Sequence, residues 1–298
     1  MDTLAQPGQM SVISGVFSEN SPATFELVTV QSGVRSLRSQ EHGETFHPVV
    51  GPMIEAMALH VRQQRLVERA VATDGAFVIW DVGLGAAANA IAAIEALVDP
   101  ARKDTHVELH SFDVNDSALR FALTHAGDLG YLVPHGTAIE DLLAKGDSRQ
   151  SNIHWRFHPG DFHTTMSLAP APHAVLYDPY SPQSNPGMWT LDHFTRLRTC
   201  LSPSAPCLLT NYTRSTAVRV SLLLAGFFVG CGHATGEKDQ TTIASNDLSL
   251  LEEPLGAAWL GRVHRSTNGA PLRPGVQRPA AISPEDWARL SAHAQFRM

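Results

Sequence analysis

Between residues 76 and 226, short apolar runs alternate with stretches whose apolar residues recur every three or four positions. That alternation narrows the fold more than any other feature of the chain. The strand-like runs are AFVIWDVG (76–83), HVELHSFDV (106–114), NIHWRFH (152–158), AVLYD (174–178) and PCLLTNY (206–212). Between them lie helical stretches at 86–98, 116–127, 138–145, 189–201 and 213–226. Strands separated by helices need right-handed crossovers, which predicts an α/β fold with a mostly parallel sheet and helices on both faces. FFVGCG (227–232) and QTTIAS (240–245) read as a closing antiparallel pair. Ahead of the sheet, residues 25–39 alternate on either side of Ser32-Gly33 as a small β-hairpin, and residues 52–71 carry a helical period. The expected organisation is an N-terminal segment and hairpin (1–50), a main domain (51–245) and a C-terminal extension (246–298). The extension has one clear helix, 283–294, with Ser283 as N-cap and Pro284 at its first position.

Composition removes several function classes. With 298 residues, 43% hydrophobic and 17% charged, the chain can bury a large core. No apolar run is long enough to span a bilayer, and MDTLAQPGQM lacks the basic and apolar regions of a signal peptide, so the expected compartment is the cytoplasm, with no membrane partner. Cys200, Cys207 and Cys231 form no CxxC pair. Of the fifteen histidines, His154, His158 and His163 have no acidic partner at a recognised ligand spacing, so no metal is expected. A net charge of −7 argues against a phosphate-binding face over the whole surface. Residues 254–284 nevertheless hold Arg262, Arg265, Arg273 and Arg278 and no acidic residue, either a solvated tail or a local anion-binding stretch.

Chemistry gathers at the ends of the strands. In WDVGLGAAANA, Gly83 and Gly85 allow close backbone approach to a ligand while the next helix aims its amides into the same space; a tight turn without a ligand would use the same glycines. The third glycine of a dinucleotide fingerprint is replaced by Ala88. Asp113, ending the second strand, suits a ribose, although it lies 30 residues beyond Gly83 rather than the usual ~20. Asp161 in HPGDFH can meet an adenine amino group beside Phe162, or cap a turn. Asp178 ends the fourth strand, and Pro179, Pro182 and Pro186 stiffen the loop after it. One crevice with this lining suits adenosine plus a second, cationic or amine-bearing ligand.

HGETFH with GPMIEA (42–56), DVGLGAAAN (81–89), GDFH (160–163), DPYSPQSNPGMWT (178–190), TNYTRSTAVRVSLLLAGF (210–227) and GEKDQTTIAS (236–245) resemble, in order and spacing, the tRNA 5-methylaminomethyl-2-thiouridine methyltransferase family. The resemblance covers about residues 25–245. It implies a class I, Rossmann-like, S-adenosylmethionine-dependent methyltransferase acting on the wobble uridine of tRNA, in the form without the FAD-dependent oxidase domain; a separate oxidase would act earlier. Carried over, Glu44, Thr45, Asp81, Gly83, Gly85, Asn89, Asp113, Asp161 and Phe162 would hold the cofactor. Asp178 and Tyr212 would be catalytic, and Pro179, Tyr180, Trp189 and Lys238 would meet the substrate. The chain departs from the family's basic last motif, keeping only Lys238 where others carry a GxKRE-like run, and has only two other lysines, Lys103 and Lys145. Two further readings therefore stay open: the same fold methylating a small amine or other metabolite, and a non-catalytic adenosylmethionine- or RNA-binding module with an occluded Asp178.

Overall fold

A computed structural model describes residues 24–98, 105–235 and 239–297. Strands β1 (Phe25–Thr29), β2 (Arg35–Ser39) and β3 (Glu44–Thr45) form a small antiparallel sheet. Helix α1 (Pro52–Ala56) then runs into a π-helical turn (Met57–Arg62) and, after Arg65 at a φ of 52°, into α2 (Leu66–Val71). The helical period over 52–71 is thus realised in pieces. The main sheet follows in chain order with β4 (Ala76–Val82), α3 (Ala88–Leu97), β5 (His106–Asp113), α4 (Ser117–Thr124), α5 (Ala126–Leu129) and α6 (Gly136–Lys145). It continues with β6 (Asp147–Gln150), β7 (Ile153–Pro159), α7 (Phe162–Thr165), β8 (Ala174–Tyr177), α8 (Leu191–Cys200), β9 (Leu208–Asn211) and α9 (Thr216–Leu224), and closes with β10 (Phe228–Gly232) and β11 (Thr241–Ser245).

The eight strands lie in the order β10-β11-β9-β8-β4-β5-β7-β6. β7, β5, β4, β8 and β9 are mutually parallel, and β11 runs antiparallel to both β9 and β10, as the sequence pattern predicts for the closing pair. Burial on both faces explains the unbroken apolar runs: in β4 every residue from Phe77 to Val82 is buried. β6 escapes the sequence reading because DSRQ is a polar edge strand, folded back antiparallel on β7 through Ser151 at a φ of 51°.

One core layer holds Ile79, Ile91, Leu109, Ile139 and Leu142; the other holds Trp80, Tyr177, Trp189, Phe194 and Val218. The segment after residue 246 contributes to the second layer, because α10 (Ala257–Arg265) buries Trp259 and Val263 and α11 (Pro284–Ser291) buries Leu290. The Ser283 hydroxyl accepts from the Asp286 amide at 3.1 Å with Pro284 behind it, the cap read from the sequence. Helix α10 is not signalled by the sequence; its AAWLGRVHR pattern is short and follows a Pro/Gly-containing stretch. No helix among the described residues is long and apolar enough to cross a membrane.

Candidate active site

β4 has β5 and β7 on one side and β8 and β9 on the other, so successive crossovers leave in opposite directions from it. At such a switch point the loops part and leave a crevice at the carboxyl ends of the strands. Here the crevice is a cleft of about 1010 Å³, roofed by the small N-terminal sheet. Gly83, Gly85, Asn89, Asp113, Asp161, Phe162, Asp178, Pro179, Tyr180 and Tyr212 all line it, as do Glu44 and Thr45 from β3. These positions come from well-separated segments of the sequence, and the fold brings them together.

The floor depends on two glycines. Gly83 has a φ of 93°, and a β-carbon there would lie 2.7 Å from the Asp178 carbonyl oxygen, so β4 and the end of β8 can meet only without a side chain. Gly85, at a φ of 48°, lies under Phe46 and gives its amide to Asp113 Oδ2 at 2.9 Å. The Val114 amide binds the other Asp113 oxygen at 2.7 Å. Burial pushes the Asp113 carboxyl up, and these backbone amides oppose the shift. Asp161 lines the cleft and also accepts from the His163 amide at 2.9 Å as the cap of α7.

Asp178 is fixed from the side. Asn89, in the first turn of α3, donates from Nδ2 to Asp178 Oδ2 at 2.9 Å, while Asn89 Oδ1 is buried with no hydrogen-bond partner among the described residues. The stiff loop after Asp178 is pinned by its own carbonyls. Tyr212 donates its hydroxyl to Pro179 O at 3.2 Å, and Trp189 Nε1 donates to Tyr180 O at 2.9 Å. Glu44 ties the roof to this loop, accepting from the Ser181 amide at 3.1 Å and from the Ser181 and Ser184 hydroxyls. Burial pushes the Glu44 carboxyl up, but those hydrogen bonds outweigh it and hold the group below its ordinary range.

Two expected site residues take other places. Trp189 is fully buried and does not line the cleft; it acts on the loop from behind, packed at 5.2 Å on Tyr177 and 5.8 Å on Tyr212. Asp81 is also fully buried, beneath the floor, where Ser111 donates to Oδ2 at 2.7 Å. Burial drives its carboxyl up to about 8, with Asp178 and Asp113 adding to the rise. A carboxyl raised from 3.8 to about 8 opposes folding increasingly as pH climbs through that interval, because the unfolded chain ionises first. Asp81→Asn should therefore be more stable than the unaltered chain at pH 8 and lose that advantage below pH 4, measured by urea unfolding at both pH values. Lys238 lies outside the described residues.

Several lining residues were not named as site residues by the sequence reading. His47 lies between Asp178 and Glu55, Phe46 covers Gly85, Tyr131 donates to Ala86 O at 3.0 Å, and Val114 is 69% exposed in the lining. His47, Phe46 and Glu55 belong to or adjoin the quoted HGETFH and GPMIEA segments; Tyr131 has no local signal. Among the described residues that line the cleft, Glu41, Glu44, Glu55, Asp113, Asp161 and Asp178 are carboxylates, whereas Arg38 is the sole arginine or lysine. A cleft so lined favours cationic or amine ligands. Among the described residues no group of three or more His, Cys, Asp or Glu is placed to hold a metal ion.

Comparison with known proteins agrees with this geometry. A family model described as S-adenosyl-L-methionine-dependent methyltransferase matches residues 145–247. The chain is 24% identical over 234 residues to the tRNA 5-methylaminomethyl-2-thiouridine biosynthesis bifunctional protein MnmC of Ectopseudomonas mendocina (strain ymp), covering 75% of this chain. It spans only 35% of that relative's length. Among solved structures, MnmC2 from Aquifex aeolicus superposes with a TM-score of 0.66 at 21% identity, covering 90% of this chain and 84% of the other. A spermidine synthase in complex with the transition-state analogue AdoDATO gives 0.50 at 9% identity, covering 90% and 83%. At these identities the structural matches speak for the fold.

The lining fits an adenosyl sulfonium. An acidic cleft accommodates its positive charge, the bare floor at Gly83 and Gly85 leaves room for close approach, and the unpartnered Asn89 Oδ1 offers an acceptor. With the family model, the relative and the fold in agreement, the chain is an S-adenosyl-L-methionine-dependent methyltransferase related to MnmC over about a third of that protein's length.

Proposed function

We propose that this methyltransferase acts on the aminomethyl nitrogen of a modified wobble uridine in tRNA. The observation that carries the reading is Asp178: a carboxylate at the end of β8, held by Asn89 and facing an acidic cleft, in a chain related to a protein of tRNA 5-methylaminomethyl-2-thiouridine biosynthesis. Bound S-adenosylmethionine supplies an electrophilic methyl group on sulfur. In this reading Gly83, Gly85 and Asn89 hold its methionine and ribose part, Asp113 the ribose, and Asp161 with Phe162 the adenine. Glu44 and Thr45 close the roof over them, and Asp81 supports the floor from below. Asp178 accepts a hydrogen from the amine, which is nucleophilic only as the neutral base. Pro179, Tyr180 and Tyr212 wall the nitrogen's approach, with Trp189 fixing Tyr180 and Lys238 reaching the RNA. Alignment and exclusion of water by the pinned loop contribute most of the acceleration. A separate FAD-dependent oxidase would prepare the substrate, and the cytoplasm, where tRNA is matured, is the proposed compartment.

RNA contact would fall to arginines outside the cleft. Arg273 is committed to Asp286, with two contacts at 2.7 and 2.8 Å, and Arg278 donates to Ala270 O at 2.9 Å, so neither is spare. Arg214, Arg262 and Arg265 are exposed. No described residue beyond 246 lines the cleft, which favours RNA contact over a lid for that segment.

One observation favours a small amine as the alternative acceptor: six carboxylates against one arginine in the lining. The two readings separate in a competition assay with S-adenosylmethionine, tRNA lacking the modification and a panel of small primary amines. The tRNA reading expects tRNA to be the preferred acceptor, with binding that weakens linearly in log salt. Methylation of small amines alone would replace it.

A further inference from the structure

His47 lies between Asp178 and Glu55. Its Nε2 is 3.8 Å from Asp178 Oδ2 and its Nδ1 is 3.7 Å from Glu55 Oε2, with the three side chains only 12–15% exposed. Its backbone φ of 47° falls in the left-handed region, which a residue with a β-carbon occupies at a cost and which clusters at functional sites. Among the described residues, the other titratable groups facing this corner are Glu44 from β3, His60 from the π-helical turn, Tyr212 after β9 and, beneath the floor, Asp81. His60 cannot carry a proton, because burial holds its ring at about 3 while its Nδ1 is engaged with Thr210. Burial pushes the Tyr212 phenol far above its ordinary range, and its hydroxyl serves Pro179. Glu44 is saturated by Ser181 and Ser184. Asp81 is raised into the neutral range as well, but it lies beneath the floor with its Oδ2 held by Ser111. His47 is the described imidazole whose ring nitrogen faces the Asp178 carboxylate, and imidazole exchanges protons near neutral pH.

We propose that His47 is a positioning residue that receives, through Asp178, the proton the acceptor ammonium must lose. The inference rests on the amine reading above. An N–H bond of the ammonium breaks, its electron pair stays on nitrogen, and the proton goes to an Asp178 oxygen. From Oδ2, the oxygen that faces His47 Nε2 at 3.8 Å, the O–H breaks and an N–H forms as the imidazole ring closes on it, with the Asn89 contact kept. The imidazolium so produced lies between the Asp178 and Glu55 carboxylates, which offset its charge, while Asn89 restrains the Asp178 carboxylate.

Two measurements test it. Asparagine tolerates the left-handed backbone and cannot relay a proton, so His47→Asn should lose about 10- to 100-fold in kcat/KM at pH 7, within the range of acid–base catalysis. The loss should shrink as pH rises toward the ionisation of a free amine, with S-adenosylmethionine affinity unchanged by calorimetry. Added imidazole should partly restore His47→Gly. An equal loss at every pH with no imidazole rescue would mean a merely structural role and overturn the proposal. Independently of any acceptor, NMR titration of the His47 ring protons should show a lower midpoint in Asp178→Asn and in Glu55→Gln than in the unaltered chain; an unchanged midpoint overturns it. If the unaltered chain methylates no amine, the amine reading fails, and this titration still decides the role of His47.

Discussion

Asp178→Asn should lower methyl transfer about a thousandfold, the middle of the range for general acid–base groups, while changing S-adenosylmethionine affinity only a few-fold. The substitution keeps the volume beside Asn89 but removes the carboxylate that, in the proposed reaction, takes a hydrogen from the amine. Asparagine also offers its own N–H to the incoming nitrogen, so the loss should appear in kcat as well as kcat/KM. Because His47 approaches the same Oδ2, combining Asp178→Asn with His47→Asn should cost little more than Asp178→Asn alone. Rapid-quench measurement of a single turnover with saturating cofactor, beside calorimetric binding, separates the two effects.

Gly83→Ala should damage binding and fold together. A β-carbon would meet the Asp178 carbonyl oxygen at 2.7 Å and the Pro179 α-carbon at 3.1 Å, and these are backbone atoms that no side-chain rotation relieves. At a φ of 93° the residue is strained in any case. Overpacking costs about 1–3 kcal/mol and the positive φ about 1–2 kcal/mol, so a stability loss of about 2–5 kcal/mol is expected in urea unfolding. Displacing the end of β8 moves Asp178, so S-adenosylmethionine affinity and transfer should both fall at least about tenfold. Gly187→Ala is the matched control: it also lines the cleft, has no positive φ, and a β-carbon there meets nothing within 4 Å. Its effect on stability should stay within about 0.5 kcal/mol.

Legibility in the sequence tracked the neighbours each residue has in the fold. β4, β5, β7, β8 and β9 were readable because a parallel strand buried on both faces must be an unbroken apolar run, and the closing pair because two short runs, FFVGCG and QTTIAS, follow each other at the end of the alternation. β6 was not, since an exposed edge strand such as DSRQ carries no apolar period. The break in the helix at Arg65 and the π-helical turn before it arise from tertiary packing of His60 and Gln64 against β9, which no period reports. In the site, strand-end residues such as Gly83, Asp113 and Asp178 were legible because the sheet fixes where strand ends point. His47 and Glu55 sit in the quoted HGETFH and GPMIEA segments but were not singled out, because their place beside Asp178 depends on contacts distant in sequence, and Tyr131 has no local pattern. Trp189 and Asp81 show the converse: motif membership found them, and the fold places them behind the cleft wall rather than in it.

Methylation of the wobble uridine is tested most directly by nucleoside analysis of tRNA lacking the modification after incubation with this chain and methyl-labelled S-adenosylmethionine. Label is expected in the side chain of the wobble uridine, on its aminomethyl nitrogen, entering about a thousandfold more slowly with Asp178→Asn. Label on a ring atom or on another nucleoside, or undiminished label with Asp178→Asn, would contradict this assignment.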